Sequence, residues 1–265
     1  METAASDSDQ SGTSNFQMPE IRYCTDPGEV DTVVWEHFAE AKLIGFDIEW
    51  KPNTIKGQDS WTAVVQVSTS AVSLVAHVSQ MCCDAPQGEA LPRDLRWLLE
   101  NPEVLKCGVG IVQDLQKLST DFNIDATRSY LDVGVIAAAH GIPSNGIKNL
   151  ANHFGLVINK SKSVSMSNWE RRRLSETQVF YAAQDAYMGI WLLQRIFASY
   201  GEIYPSIFEW ARPFSDLSTF KQCLNVQEFS VFAPLVQQTL AAERAAQRER
   251  STARRNRNSQ HTPKP

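Results

Sequence analysis

Two carboxylates one residue apart, Asp47 and Glu49 in Gly45-Phe46-Asp47-Ile48-Glu49-Trp50, are the first residues in this chain whose spacing could do chemistry. In a strand, alternate side chains share a face, so both acids point one way while Phe46 and Ile48 point the other. Like charges this close repel and are costly to bury unless a cation lies between them. A divalent ion meets that need, and oxygen donors suit magnesium or manganese. A solvent-facing edge strand with two ordinary acids is the plain alternative. The flanking Leu43, Ile44, Phe46 and Trp50 favour a central strand.

Tyr181 and Asp185 in the run YAAQD form a second pair. Their spacing of four residues puts phenol and carboxylate on one helical face, a turn apart. Ala182, Ala183 and Ala186 around them would let another element approach closely. A third acid, Asp114, follows Gly108-Val109-Gly110 at a strand-to-helix junction. An acid there is also favoured simply by the helix dipole. The glycines do not make a dinucleotide fingerprint, because Gln113 holds the third glycine position and no βαβ unit starts there.

These residues need elements to hold them. Helical spacing runs from Glu29 to Lys42, and strands are expected at Leu43–Trp50, Thr62–Ser68 and Ser73–His77 as a meander. A loop over Met81–Pro92 leads to a short helix at Arg93–Glu100 and a strand at Val104–Gly108. Helices follow at Val112–Phe122, Asp132–Ala139 and Ile147–Phe154, with an extended segment near Tyr130–Asp132. Asn159–Asn168 reads as a polar loop, and Ser175–Tyr200 as a long helix opened by a capping box of Ser175 with Gln178. A meander followed by strand–helix alternation makes an α/β domain, a mixed sheet with helices on both sides.

A chain of 265 residues with 43% hydrophobic content can build one sizeable core. No stretch approaches the roughly 20 apolar residues of a membrane-spanning helix. Met1–Glu20, rich in Ser, Asp and Gln, reads as a disordered leader and not as a secretory or mitochondrial signal. Five cysteines without CxxC spacing, Cys82–Cys83 among them, suggest neither a disulfide framework nor a zinc site. They place the protein in the nucleus or cytoplasm, with the nucleus preferred. A net charge of −5 does not exclude a nucleic-acid substrate, because local patches, not the total, make the footprint.

Taken in order, Asp47, Glu49, Asp114, Tyr181 and Asp185 resemble the signature of the DEDDy 3′–5′ exonucleases. GFDIEW, GVGIVQDLQKL and the run from Lys148 through Lys160-Ser161 and Ser167-Asn168-Trp169 to LSETQVFYAAQDAY are most similar to the Werner-type exonuclease domain. RNase D-type enzymes look more distant. The related exonucleases that use histidine carry it five residues before the last Asp, where this chain has Phe180. The resemblance implies a ribonuclease-H-like fold, with a mixed five- to six-stranded sheet flanked by helices. It implies an exonuclease domain over 21–204, leaving 1–20 as leader, 205–240 as a C-terminal extension and 241–265 as a basic tail.

The resemblance also implies the chemistry. Asp47, Glu49 and Asp185 would hold one Mg²⁺ or Mn²⁺, and Asp47 would bridge to a second that Asp114 reaches through water. Tyr181 would position the attacking water without ionising. The products would be nucleoside 5′-monophosphates, from DNA in preference to RNA. Lys148, Lys160, Lys162 and Arg171 could face the phosphates, and Trp50 and Trp61 could stack on a terminal base. A solvated basic face and core packing of Trp50 are the competing readings. The implied partner is a nucleic acid with a free 3′ end and no membrane; whether a helicase or repair protein acts beside it is left open. The main rival is a silent binding module on the same fold, and such modules typically lose metal ligands, whereas all five positions are present here; the second is an enzyme of the same chemistry that trims RNA 3′ ends.

Overall fold

Leu43–Trp50 forms β2, and its alternation is resolved by its place in the sheet. The computed structural model describes residues 16–53, 59–81, 91–143 and 146–200. The other strands are β1 (Glu20–Cys24), β3 (Thr62–Ser68), β4 (Val72–Ala76), β5 (Leu105–Gly108) and β6 (Tyr130–Asp132). They make one six-stranded sheet in the order β1-β4-β3-β2-β5-β6. β2, β3 and β4 are the expected antiparallel meander, β5 and β6 add in parallel beyond β2, and β1 lies parallel to β4. With neighbours on both sides, β2 is a central strand, and the edge-strand alternative falls.

The two faces of β2 are covered differently. Ile44, Phe46 and Ile48 pack into one cluster with α1 (Pro27–Phe38), α3 (Arg93–Glu100) and α4 (Ile111–Phe122), through Phe38, Leu95, Leu98, Leu115 and Phe122 among others. The face of Gly45, Asp47 and Glu49 is covered by α8 (Glu176–Tyr200), which carries α5 (Val133–Ala139), α6 (Ile147–His153) and the single-turn α7 (Lys162–Ser165) against it. A short helix, α2 (Val78–Met81), leaves the end of β4.

The α8 backbone touches the sheet backbone. A Cβ placed on Gly45 would run into the Ala186 carbonyl, and one on Gly189 would sit 2.5 Å from the Cys107 carbonyl of β5. Two side-chain-free positions therefore let helix and sheet meet at less than ordinary layer spacing. The alanines 182, 183 and 186, all fully buried, serve the same approach from the helix. On the opposite layer, Asp121 of α4 accepts hydrogen bonds from both the backbone N–H and the hydroxyl of Thr62, each at 2.7 Å, which pins α4 to the start of β3.

The start of α8 is held by a buried polar chain. The Leu174 N–H donates to the Tyr23 oxygen at 3.2 Å, and Tyr23 lies 2.8 Å from His77 Nδ1. His77 Nε2 is 3.0 Å from the Trp169 carbonyl. A carbonyl can only accept, so Nε2 carries the imidazole proton and Nδ1 accepts from the phenol. The Trp169 indole, fully buried, donates to the Ser165 carbonyl at 3.1 Å. The expected capping box is present, with Ser175 N–H on Gln178 Oε1 at 3.1 Å and Gln178 N–H on Ser175 Oγ at 3.3 Å.

Several sequence expectations shift. The first helix runs Pro27–Phe38, not Glu29–Lys42, because Asp26 caps it by accepting from Gly28 and Glu29 and Pro27 takes its first position. α7 interrupts the expected polar loop at 159–168. β1 was not anticipated: its five residues alternate too briefly for a period to show. Within the expected leader, the described part packs: Phe16 lies 5.9 Å from Tyr187 and 5.7 Å, edge-on, from Trp191. The pair Cys82–Cys83, the extension at 205–240 and the basic tail at 241–265 lie outside the described residues. Among the described residues no helix is long and apolar enough to cross a membrane.

Gly45→Ala should destabilise the fold by about 2 kcal/mol or more, since the obstructing atom is backbone that cannot rotate away; the midpoint of urea unfolding reads this directly. A second outcome concerns pH. Burial, opposed by the bond to the Trp169 carbonyl, holds His77 below its ordinary value of 6.5. The folded chain then binds fewer protons than the unfolded one just below that value. The contribution of His77 to stability is therefore full above about pH 6.5 and is lost as pH falls through the lower folded value. The native chain should exceed His77→Gln in stability by about 1 kcal/mol at about pH 7.5, and melting curves should show that difference shrink as pH falls toward about 5, the acid cluster being common to both proteins.

Candidate active site

The approach of α8 to β2 brings Asp185 onto the two acids of the strand. One carboxylate oxygen from each of Asp47, Glu49 and Asp185 lies within 4.8 Å of the others. Asp47 and Glu49 are half-buried and Asp185 is buried. Asp47 Oδ1 accepts the Ile48 N–H at 2.9 Å, whereas Asp185 Oδ1, buried, has no hydrogen-bond partner among the described residues.

The electrostatics follow from this crowding. Burial, then Asp114 and Asp185, pushes Asp47 well above the ordinary carboxylate range. Burial, then Asp47 and Asp185, does the same to Glu49. Asp185 is also raised by burial, although Lys160 works in the opposite direction. Asp114 enters from the first turn of α4, at the same end of the sheet, and burial followed by Asp132 pushes it up to about 7. Asp132 caps α5 by accepting from Gly134 and also accepts from Gly110, so it fixes the turn that delivers Asp114.

Tyr181 lies one turn before Asp185 on α8, buried and tilted against Trp169 at 6.1 Å between ring centroids. Burial, then Asp185, drives the phenol above its ordinary value, so it stays protonated. Lys160 enters between them: its Nζ is 2.6 Å from Asp185 Oδ2 and 5.2 Å from the Tyr181 ring centroid. Burial tends to lower Lys160, but Asp185 beside it, with Tyr181 and Asp47, holds it above the ordinary lysine value.

A donor set of carboxylate oxygens with a buried, unpartnered oxygen among them fits a hard divalent cation. Of the residues expected to grip substrate, Lys148, Lys162 and Arg171 are exposed. Arg171 lines an open groove of about 480 Å³ with Ser163, Ser167, Asn168 and Thr177, between α7 and the start of α8. Trp61 is 39% exposed, its ring edge-on to Phe122, while Trp50 packs partly on the core beneath the Lys117 ammonium. Lys160 alone among the expected phosphate contacts is turned inward to the carboxylates.

Sequence reasoning missed three contributors. Gly45 shares the face of Asp47 and Glu49, a period-2 relation visible in the sequence but uninformative without α8 above it. His77 acts only through residues far along the chain. Gln66 pairs directly across the sheet from Asp47 and is fully buried, with neither amide atom hydrogen-bonded among the described residues; only the strand register places it there.

The family model for the 3′–5′ exonuclease domain matches residues 24–198. The chain is 33% identical over 164 residues to the bifunctional 3′–5′ exonuclease/ATP-dependent helicase WRN of Mus musculus, covering 60% of this chain and 11% of that protein. It is 32% identical over 165 residues to exonuclease 3′–5′ domain-containing protein 2 of Drosophila melanogaster, covering 60% of this chain and 26% of that one. It thus spans about a quarter or less of these relatives. Among solved structures, Escherichia coli RNase D superposes with a TM-score of 0.57 at 16% identity, over 78% of this chain and 51% of that one, which confirms the ribonuclease-H-like fold. With its acidic cluster at the end of a central strand and the match extending across almost all of the described residues, this chain belongs to the 3′–5′ exonuclease domain family.

Proposed function

We propose that this chain hydrolyses the terminal phosphodiester at the 3′ end of a nucleic acid, releasing nucleoside 5′-monophosphates. The observation that carries the reading is the convergence of Asp47, Glu49 and Asp185 to within 4.8 Å, with Asp114 and Tyr181 beside them, in a chain of this family. In this reading Asp47, Glu49 and Asp185 would hold one Mg²⁺ or Mn²⁺, and Asp47 would share a second that Asp114 reaches through water. Such ions, when bound, make water a nucleophile near neutral pH and offset charge on the departing 3′ oxygen. The protein's own groups do the rest. The Tyr181 phenol, kept protonated, orients a water by hydrogen bonding. Asp185, reached by Tyr181 on one helical face, fixes that water's distance from Asp47 and Glu49 on the strand.

The exposed Lys148, Lys162 and Arg171 suit phosphate contacts, and the exposed edge of Trp61 suits stacking on a terminal base. Trp50, largely engaged by the core and Lys117, is the weaker stacking candidate. Likeness to the Werner-type domain supports DNA as substrate, a nuclear setting and a helicase or repair protein nearby. The phosphodiester itself is common to RNA, and only contacts to the 2′-hydroxyl separate the two.

The test is incubation with Mn²⁺ or Mg²⁺ and 5′-labelled DNA and RNA oligonucleotides. The expected result is a ladder shortening from the 3′ end, stronger on DNA, and absent with EDTA or in the Asp47→Ala, Glu49→Ala double variant. Folded protein that shortens neither polymer would move the assignment to a silent binding module. Tyr181→Phe should lower kcat by roughly 10²-fold, with little change in Mn²⁺ affinity, since the phenol orients water and binds no ion.

A further inference from the structure

Lys160 has a place in the site that a phosphate contact does not require. Its ammonium lies 2.6 Å from Asp185 Oδ2 and above the Tyr181 ring, and only 24% of the side chain is exposed. Among the described residues no other lysine or arginine pairs with Asp47, Glu49 or Asp185. The backbone around it is anchored on both sides. Ile158, two residues before, is buried in the core, and Ser161, the next residue, opens α7, which packs on α8. The long lysine stem between these anchors can swing without moving either.

The ammonium and a divalent ion would compete for the same carboxylates. An ion held by Asp47, Glu49 and Asp185 would stand within a few ångströms of Nζ, where like charges repel strongly in a partly buried site. The ammonium sits on Asp185 Oδ2 while Oδ1 is left without a partner, so the conflict between the two cations is one of charge at a shared carboxylate. We propose that Lys160 is the built-in counter-cation of the metal-free site, and that it leaves Asp185 when a divalent ion binds. The metal-free acids are then held together at the position where α8 meets β2, and metal binding becomes an exchange of one cation for another. The inference rests on the proposed divalent-ion site and concerns how that site fills.

Measurements without nucleic acid test it, first on a Lys160→Gln variant and second on the native protein. Mn²⁺ affinity, from the free-ion electron paramagnetic signal, should be tighter in Lys160→Gln than in the native chain by on the order of tenfold or more. In EDTA the same variant should melt at a lower temperature and gain more on adding Mn²⁺. The second measurement uses the native protein, so it survives a variant that does not fold. Acetylation by an amine-reactive ester is followed at Lys160 by mass spectrometry, with the exposed Lys148 and Lys162 as internal references. Lys160 should be slow to react in EDTA and several-fold faster, relative to those references, in saturating Mn²⁺. An unchanged or weaker Mn²⁺ affinity in Lys160→Gln overturns the proposal, and so does an unchanged relative acetylation rate. A protein that exchanges lysine for Mn²⁺ yet shortens no oligonucleotide would refute the nuclease assignment and leave this inference standing.

Discussion

The α8 backbone can lie directly on β2 and β5 only because Gly45 and Gly189 have no side chain where the two cross. That contact decides where everything else in the site stands. Gly45 shares its face of β2 with Asp47 and Glu49, so the helix that crosses at Gly45 continues over both acids. Asp185, one residue before the crossing at Ala186, is thereby delivered onto them, and Tyr181 follows a turn away. A helix held off the sheet by side chains at those two positions would leave the three carboxylates farther apart than the 4.8 Å they now span.

Such a contact must be held against the repulsion it creates. All three acids are raised by burial, and Asp47 and Glu49 also by neighbouring acids, so the metal-free cluster works against folding at neutral pH. The surrounding structure over-determines the position. On one face Ile44, Phe46 and Ile48 tie β2 into the apolar cluster with α1, α3 and α4. On the other, the Tyr23–His77–Trp169 chain and the capping box hold the start of α8. Asp121 and Asp132 fix the two ends of the path that delivers Asp114. Apart from Asp132, which also raises Asp114, these supports lie away from the three clustered carboxylates.

Much of this was legible before any fold was known, for identifiable reasons. The strand period aligns Asp47 with Glu49, and the helix period aligns Tyr181 with Asp185, so each pair was readable locally. The Ser175–Gln178 box announces the start of α8 in the same way. What escaped was either short or relational. The five residues of β1 are too few to show a period. Asp26-Pro27 is a cap signal local enough to be read from sequence, although the apolar spacing alone points to a later start. Gln66 and His77 carry no local pattern, and their roles depend on strand register and on a carbonyl 92 residues away.

The sequence by itself determined which side chains share a face, because that depends only on local backbone periodicity. It determined the family too, because the five chemical positions recur in order and spacing. Tertiary structure alone decided that these pairs meet at one point, since their convergence depends on the layer spacing that Gly45 and Gly189 permit. It also decided the fate of the cations. Lys148, Lys160, Lys162 and Arg171 look alike as a basic stretch, yet only Lys160 is carried into the carboxylates. Lys148, Lys162 and Arg171 stay exposed, each carried by a different segment of the backbone.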